Sequence, residues 1–155
     1  FKKLVQKKKT TGSVTGYGFG SYHVESNQLA EAECDVLITA AIPNFLNEQN
    51  YRFVKAKIIV EGSNIPMTPR VEQKLHEKGA LVVPDFVANA GGVISSYIEY
   101  IGGSKEKVFR MIEKKVVENT DLALSLAKKQ GIFPRGSAQQ IAVKRVEKAM
   151  KARKG

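Results

Sequence analysis

The chain has few of the residues that build disulfide-bonded or membrane-embedded proteins. It contains no tryptophan and a single cysteine among 155 residues. One cysteine excludes an intramolecular disulfide and fits a reducing cytosol. No apolar stretch approaches the roughly 20 residues that a membrane-spanning helix requires, and the lysine-rich N-terminus lacks the apolar core of a signal peptide. The sequence therefore predicts a cytoplasmic protein with no membrane segment.

Reactive and metal-binding side chains are also scarce. His23 and His76 are the only histidines, and no Cys/His spacing resembles a metal site. His76 is predicted on the solvent side of a helix. Cys34 lies between Glu33 and Asp35, whose negative charges raise a thiol pKa, so it is interpreted as a small core residue. These patterns predict neither a metal site nor a cysteine nucleophile.

The charge is strongly positive, with 25 Lys and Arg against 15 Asp and Glu and a formal net charge of +10. The basic residues concentrate in three predicted helical stretches at 2–9, 105–115 and 144–154, where they alternate with apolar positions. Phe109 is the single aromatic residue in these stretches, too few to stack on successive bases, which argues against nucleic-acid binding. A solvated basic surface, or attraction for an anionic ligand or partner, is the favoured interpretation.

Three apolar runs predict the strands of a sheet. They lie at 35–41, 56–61 and 80–83, and each is continuous rather than alternating, which is typical of a parallel sheet covered on both faces. Helices are predicted between them, over 44–52 and from Thr68-Pro69 to Gly79. Strands that alternate with helices at this spacing predict an α/β fold with right-handed crossovers.

The remaining segments are predicted to be mostly helical. A helix over 2–9 precedes a possible edge strand at 13–16, and Ser26 is predicted to cap a short helix through Ala32. The glycine-rich segment 17–22 is interpreted as a connecting loop, because no apolar strand leads into it and no helix opens from it. After Ser104 two helices are predicted, the second capped by Ser137. Their inward faces are predicted to hold Val108, Ile112, Val116, Ala123 and Ala127, then Ile141, Ala142, Val146, Ala149 and Met150.

Small or amide residues follow each predicted strand. These are Ala40-Ala41, then Gly62-Ser63-Asn64, then the Asn89-Ala90-Gly91-Gly92 turn. Ligands of open parallel sheets bind at the carboxyl ends of the strands, so these residues predict a crevice. Each asparagine amide offers donors and an acceptor, suited to a ribose hydroxyl or a carboxamide. The neighbouring Glu61 and Asp85 are candidates for a general acid or base, and equally for structural hydrogen-bonded carboxylates.

Two long motifs carry a family resemblance. They are Ala-Lys-Ile-Ile-Val-Glu-Gly-Ser-Asn-Ile-Pro-Met-Thr-Pro at 56–69 and Pro-Asp-Phe-Val-Ala-Asn-Ala-Gly-Gly-Val-Ile-Ser-Ser-Tyr-Ile-Glu-Tyr at 84–100. Together with segments 34–41 and 135–146, they resemble the glutamate dehydrogenase family, within the wider group of glutamate, leucine, phenylalanine and valine dehydrogenases. The resemblance runs from about Lys2 to Gly155.

The resemblance implies a partial Rossmann-type parallel sheet, with residues 1–103 as the latter half of an NAD(P)-binding domain. Residues 104–155 would be a helical C-terminal extension packed on it. The implied cofactor is NAD or NADP, and the implied substrate pair is L-glutamate and 2-oxoglutarate. Ser96 falls on a serine that binds the side-chain carboxylate of glutamate. The positions implied to line the nicotinamide-ribose half of the cofactor site are Ala40, Ala41, Gly62, Ser63, Asn64 and Asn89.

Three positions depart from the family pattern: Ser63 replaces a usual alanine, Ile65 a usual glycine and Tyr100 a usual tryptophan. The pyrophosphate-binding turn and the substrate domain, with its catalytic lysine and aspartate, would lie before Phe1. We therefore expect a piece of a longer protein, inactive alone, that functions with that missing N-terminal domain in a homo-oligomer, a hexamer in the family. The alternative is a non-catalytic basic α/β module that binds nucleic acid or a partner protein.

Overall fold

The computed structural model describes residues 1–18 and 26–153. Its three strands, β1 (Val36–Thr39), β2 (Ile58–Glu61) and β3 (Leu81–Val83), form one parallel sheet in the order β1-β2-β3. Leu37 pairs with Ile59, and Ile59 pairs with Val82. With its flanking helices this sheet is a partial Rossmann-type α/β fold, as the sequence predicts.

The described α-helices follow the predicted order with one addition and, between β1 and β2, one loss. A four-residue helix separates β3 from the glycine pair, so the chain makes a short helical turn where the sequence indicates only a loop. The helices are α1 (Lys2–Thr11), α2 (Ser26–Ala30), α3 (Pro69–Glu77), α4 (Asp85–Ala88), α5 (Gly91–Tyr100), α6 (Lys105–Gln130) and α7 (Pro134–Ala152). Helix α3 begins as predicted, because Thr68 Oγ1 accepts a hydrogen bond from the Val71 N–H and Pro69 takes the first helical position.

Apolar residues pack on both faces of the sheet. On one face Ile59 and Val82 join Val71 and Leu75 of α3 in a buried cluster. On the other, Val83 packs in a second cluster with residues of α4, α6 and α7: Val87, Ala123 and Ala138. Burying each large apolar side chain contributes about 1.5–3 kcal/mol. Helices α6 and α7 are therefore part of the packing that supports the carboxyl end of β3.

The second face is only partly covered. Val36, Ile58 and Leu81 are register partners and share one face of the sheet, with Ile38 two residues further along β1. All four are exposed, Ile38 to 63%. On this face Val83 and Val60 pack in the second cluster, whereas the amino ends of the strands and Ile38 of β1 present an apolar surface.

The predicted helix over 44–52 is wrong. The chain forms turns there, followed by a single turn of 3₁₀-helix at Tyr51–Phe53. Asn44 has φ 51°, and its N–H donates to the Ile65 carbonyl at 2.9 Å. The Leu46 N–H donates to the Pro66 carbonyl at 3.0 Å. The left-handed backbone of Asn44, together with these bonds to a neighbouring loop, holds the segment in turns and not in a regular helix.

The predicted cap of the last helix is also wrong. Helix α7 begins three residues earlier than Ser137, with Phe133 as N-cap and Pro134 at the first helical position. Ser137 is buried within the helix, where its hydroxyl donates to the Ala123 carbonyl at 2.6 Å. Proline fixes the backbone angle that a first helical residue needs, and this outweighs the capping preference of serine.

The predicted apolar face of α7 is buried only near the start of the helix. Its buried residues are Pro134, Ser137 and Ala138, and Ile141 packs against the second cluster. The exposed residues among those predicted inward are Ala142, Val146, Ala149 and Met150. The apolar spacing indicated a helix correctly, but it could not show how far the packing extends.

Three smaller predictions fail as well. Residues 13–16 form turns and not a strand. Cys34 is exposed, because it lies in the turn before β1 and not within a packed element. His76 is half-buried, and its Nδ1 atom is buried without a hydrogen-bond partner.

His23 and most of the glycine-rich segment lie outside the described residues. Within residues 1–18 and 26–153, no helix is both long and apolar enough to span a membrane.

Candidate functional site

An open crevice lies at the carboxyl edge of the sheet. Its volume is about 520 Å³, and it is lined by Gly62, Ser63, Asn64, Asn89, Gly92, Val93 and Ser96. Five of these are site residues predicted from the sequence. They come from the loop after β2, the end of α4 and the first turns of α5. The fold therefore brings together residues that are up to 34 positions apart.

Ala40 and Ala41 lie at the same edge but outside the lining of this crevice. Both are exposed and follow β1 directly. A Cβ atom on Gly62 would lie 3.1 Å from the Ala40 Cβ, which is tighter than ordinary packing allows. The Ser63 N–H donates to the Thr39 carbonyl at 2.7 Å. A glycine at 62 therefore lets the loop after β2 lie directly against the end of β1.

Two asparagine amides face each other across the crevice. Asn89 Nδ2 donates to Asn64 Oδ1 at 2.7 Å, and both side chains are exposed to solvent at this site. The pair keeps several groups free for a ligand: the Asn89 carbonyl oxygen, its second N–H, and the NH₂ group of Asn64. This donor and acceptor set fits the carboxamide of a nicotinamide ring and the hydroxyls of a ribose. Gly92 adds open space beside it, since no atom lies within 4 Å of the Cβ position there.

Helix α5 provides the other wall of the crevice. The Ser96 hydroxyl donates to the Gly92 carbonyl at 3.1 Å, one turn back along the same helix. Val93, on the same wall, is 77% exposed. Sequence reasoning missed Val93, although its position three residues before Ser96 places both on one helix face.

A buried ion cluster lies directly behind the crevice. We call it the Arg135 cluster; its members are Glu61, Glu72, Asp85 and Arg135. Arg135 Nη2 is 2.6 Å from Glu61 Oε2 and 3.1 Å from Asp85 Oδ1, and Arg135 Nε donates to Glu72. The Phe86 ring lies 5.4 Å from the guanidinium. One cation on α7 therefore joins three carboxylates from β2, α3 and α4.

The cluster also holds the backbone of the crevice walls. Glu61 Oε2 accepts a hydrogen bond from the Asp85 N–H at 2.7 Å. Asp85 Oδ2 accepts one from the Ile65 N–H at 3.0 Å, and Asp85 Oδ1 accepts one from the Phe86 N–H. The loop that carries Asn64 is thus tied at its end to the start of α4.

Burial and charge shift the pKa values of the cluster in opposite directions. Burial, helped by the nearby charge of Glu72, raises the pKa of Glu61 to about 7 despite the opposing charge of Arg135. Burial likewise raises the pKa of Glu72, against the hydrogen bond from Arg135. For Asp85 burial acts upward too, but the Ile65 N–H, the Arg135 charge and the Phe86 N–H outweigh it, so its pKa is lowered. The pKa of Arg135 is raised because its hydrogen bond to Glu72 and the charges around it outweigh its burial.

These contacts decide between the two interpretations of Glu61 and Asp85. Both carboxylates are engaged with Arg135 and with backbone amides, so they are structural groups in this arrangement. Sequence reasoning missed Glu72 and Arg135. The available signal was a charged residue on the inner face of α3, where Glu72 adjoins Val71 and precedes Leu75 by three positions. Among the residues that the structure describes, no group of three His, Cys, Asp or Glu side chains could hold a metal ion.

The fold and the crevice together define a class: a Rossmann-type domain with an open crevice at the carboxyl ends of its strands, the edge where ligands of such sheets bind. Residues 1–154 match the model of the Glutamate/Leucine/Phenylalanine/Valine dehydrogenase family. The chain belongs to this family, as the two long motifs predict.

Individual relatives support the same assignment. The chain is 39% identical over 162 residues to a glutamate dehydrogenase of Aeropyrum pernix, covering 97% of this chain and 38% of the relative. It is 37% identical over 159 residues to an NADP-specific glutamate dehydrogenase of Saccharolobus shibatae, covering 97% of this chain and 37% of the relative. A hetero-hexameric glutamate dehydrogenase of Thermus thermophilus, with leucine bound, superposes with a TM-score of 0.81 at 28% identity, covering 98% of this chain and 37% of that one. The chain thus spans under two fifths of the length of the relatives it matches.

Proposed function

We propose that this chain is the C-terminal portion of an NAD(P)-dependent glutamate dehydrogenase. The reaction would be the reversible oxidative deamination of L-glutamate to 2-oxoglutarate and ammonia. The observation that carries the proposal is the crevice itself, in which a chain of this family gathers Gly62, Ser63, Asn64, Asn89 and Ser96 at the strand ends.

The nicotinamide and its ribose would be bound by the asparagine pair. Asn64 and Asn89 keep free donors and acceptors after their mutual hydrogen bond, and Ala40, Ala41, Gly62 and Ser63 leave room for close approach. When bound, the nicotinamide accepts a hydride from the α-carbon of the amino acid. The part of this chain is to hold the ring and the substrate in line, since orientation supplies much of the catalytic power in such sites.

Ser96 would bind the side-chain carboxylate of glutamate. Its hydroxyl now donates to the Gly92 carbonyl, and a hydroxyl rotates readily to a stronger acceptor. A carboxylate in the crevice is such an acceptor, because hydrogen bonds to charged groups are about twice as strong as neutral ones. The same wall exposes Val93, which would contact the apolar part of the substrate.

The sheet would need a further protein segment to cover its exposed face. The exposed apolar residues Val36, Ile38, Ile58 and Leu81 lie on the face of a parallel sheet, and such sheets are covered on both faces. The proposed cover is the N-terminal part of the protein, with the first half of the cofactor domain and the substrate domain. On this proposal residues 1–103 complete the cofactor domain and residues 104–155 form its helical extension, in a cytoplasmic oligomer.

A chimera tests the proposal. This chain would replace the matching 38% of the Aeropyrum pernix glutamate dehydrogenase, and NAD- and NADP-linked oxidation of L-glutamate would be measured. We expect activity from the chimera and none from the isolated 155 residues. A folded chimera that oxidises neither glutamate nor another amino acid would contradict the proposal. So would salt-sensitive nucleic-acid binding by the isolated chain without cofactor binding.

A further inference from the structure

Arg135 stands behind the crevice without touching it. It lies on α7, while the crevice is built from the loop after β2 and from α4 and α5. Its side chain is only 11% exposed. Arg135 binds Glu61, Glu72 and Asp85, and none of these three lines the crevice. Any effect of Arg135 on the crevice must therefore act through these carboxylates.

The carboxylates bound to Arg135 fix the backbone on either side of Asn64 and at the start of the helix that ends at Asn89. Glu61 and Ile65 bracket residues 62–64, and each is tied to Asp85, one through the Asp85 N–H and the other through its carboxylate. Asp85 begins α4, and the N–H of Asn89 at its end donates to the Asp85 carbonyl at 2.8 Å. The separation between Asn64 and Asn89 is therefore set by contacts that converge on Asp85.

The guanidinium offsets the free-energy cost of holding these carboxyl groups together. Glu61 and Glu72 are fully buried and Asp85 largely so, and one further oxygen of Glu61 and one of Glu72 are buried without a partner. Three neighbouring carboxylates repel one another in such surroundings. Arg135 binds Glu61 and Asp85 through Nη2 and Glu72 through Nε, which a fixed fork of donors permits and a single ammonium does not.

We propose that Arg135 is a positioning residue for the cofactor crevice. By holding Glu61, Glu72 and Asp85 together, it fixes the loop after β2 against α4 and so maintains the Asn64–Asn89 amide pair. The inference rests on the proposed function for its ligand, but the geometry of the amide pair can be measured without one. Helix α7, which carries Arg135, thus helps to shape a crevice to which it contributes no lining residue.

Arg145 provides the matched control. It lies ten residues further along the same helix, is exposed, and donates to Asn119 Oδ1 at 2.9 Å. The two arginines therefore predict opposite patterns in one NMR experiment on the ¹⁵N-labelled chain. Arg135→Lys should shift the side-chain NH₂ signals of Asn64 and Asn89 and leave that of Asn119 unchanged. Arg145→Met should do the reverse.

Cofactor binding supplies the second readout. NADH and NADPH would each be titrated into the chimera with the wild-type sequence and with either variant, with near-UV circular dichroism to check the fold. We expect Arg135→Lys to weaken binding by about three- to tenfold and Arg145→Met to leave it unchanged. Arg135→Met should weaken it further; if that variant does not fold, Arg135→Lys decides, because it keeps the charge that the carboxylates need.

The outcomes separate the two proposals. A folded Arg135→Lys variant with wild-type Asn64 and Asn89 signals and wild-type cofactor affinity would overturn the positioning role. A folded chimera with the wild-type sequence that binds neither NADH nor NADPH would overturn the proposed function. In that case the asparagine signals alone would still support or refute the role of Arg135 in fixing the amide pair.

Discussion

The backbone N–H of Asp85 donates to Glu61 Oε2 at 2.7 Å, so a side chain at the end of β2 holds the first residue of α4. This bond joins two elements that are neighbours in the sheet region but 24 residues apart in sequence. Its acceptor is a fully buried carboxylate, which makes the protonation of Glu61 part of the stability of the fold.

The first prediction concerns pH. The pKa of Glu61 is raised to about 7, and that of Glu72 is raised as well, so the folded state binds protons that the unfolded state has released above about pH 4.5. The free energy of unfolding should therefore fall as pH rises from about 5 to 7, by roughly 1–3 kcal/mol, and level off above. Denaturant titrations across this range measure it.

Glu61→Gln provides the matching control, because glutamine keeps the neutral form at every pH. Its stability relative to wild type should improve between pH 5 and pH 8. Asp85, whose pKa is lowered, has the opposite sign and loses its stabilising contribution only below the ordinary aspartate range. Parallel stability curves for wild type and Glu61→Gln would contradict the assignment.

The second prediction concerns Asn89. In the chimera, Asn89→Ala removes one half of the amide pair and, on the proposed function, one hydrogen-bond partner of the cofactor carboxamide. The loss should be about 1–3 kcal/mol of transition-state stabilisation, the usual effect of an unsatisfied buried group. Steady-state kcat/KM for the cofactor measures it. Asn119→Ala, outside the crevice, should leave kcat/KM unchanged, and equal effects of the two variants would contradict the proposed contact.

The third prediction concerns Ser96. Ser96→Ala in the chimera should raise the KM for glutamate while the affinity for the cofactor stays close to wild type, because on the proposed function the hydroxyl binds the glutamate carboxylate and not the cofactor. Ser95→Ala, the adjacent residue on α5, is the control. Equal losses for glutamate and cofactor would show that Ser96 does not discriminate between the two ligands.

The fourth prediction concerns Ile65. Its φ of 47° lies in the left-handed region, where a β-branched residue is strained by about 1–3 kcal/mol. The side chain is 59% exposed, so little burial is lost on its removal. Ile65→Gly should raise the free energy of unfolding by about 1 kcal/mol after the entropy of the unfolded glycine is included.

Ile101→Gly is the control for this change. Ile101 is 45% exposed but has φ −88°, so glycine there relieves no strain and should destabilise the chain. Thermal or denaturant unfolding of both variants decides. Destabilisation by Ile65→Gly as large as that by Ile101→Gly would show that the loop accommodates isoleucine without strain.

Much of the fold was accessible from the sequence because its signals are local. Continuous apolar runs predicted all three strands, and Thr68-Pro69 predicted the start of α3. Ile65 was also visible in the sequence as a departure from the family pattern, in which a glycine is usual. The positive φ at this position explains why glycine suits it better than isoleucine. The predicted helix over 44–52 is wrong because Asn44 has a left-handed backbone and the start of the segment is bonded to residues 65 and 66, and neither feature leaves a periodic pattern in the sequence.

The difference between local signals and contacts between distant segments also explains what could be predicted of the site. The small and amide residues of the crevice follow strands directly, so parallel topology alone predicts that they meet. The Arg135 cluster joins β2, α3, α4 and α7 across as many as 74 positions, and no spacing rule links such residues. The exposure of Cys34 and of the second half of α7 likewise depends on which other segments of the chain pack against them, and the local sequence does not show this.

The close approach of Gly62 to Ala40 limits how this crevice can change. A Cβ atom at 62 would press on the Ala40 Cβ at 3.1 Å, so the end of β1 would have to shift slightly before a larger residue could be accommodated there. Helix α5 has no such restriction, since Val93, Tyr97 and Tyr100 on it are exposed. A change of ligand preference would therefore arise more readily through substitutions on α5, while the loop after β2 and the end of β1 keep their present shape.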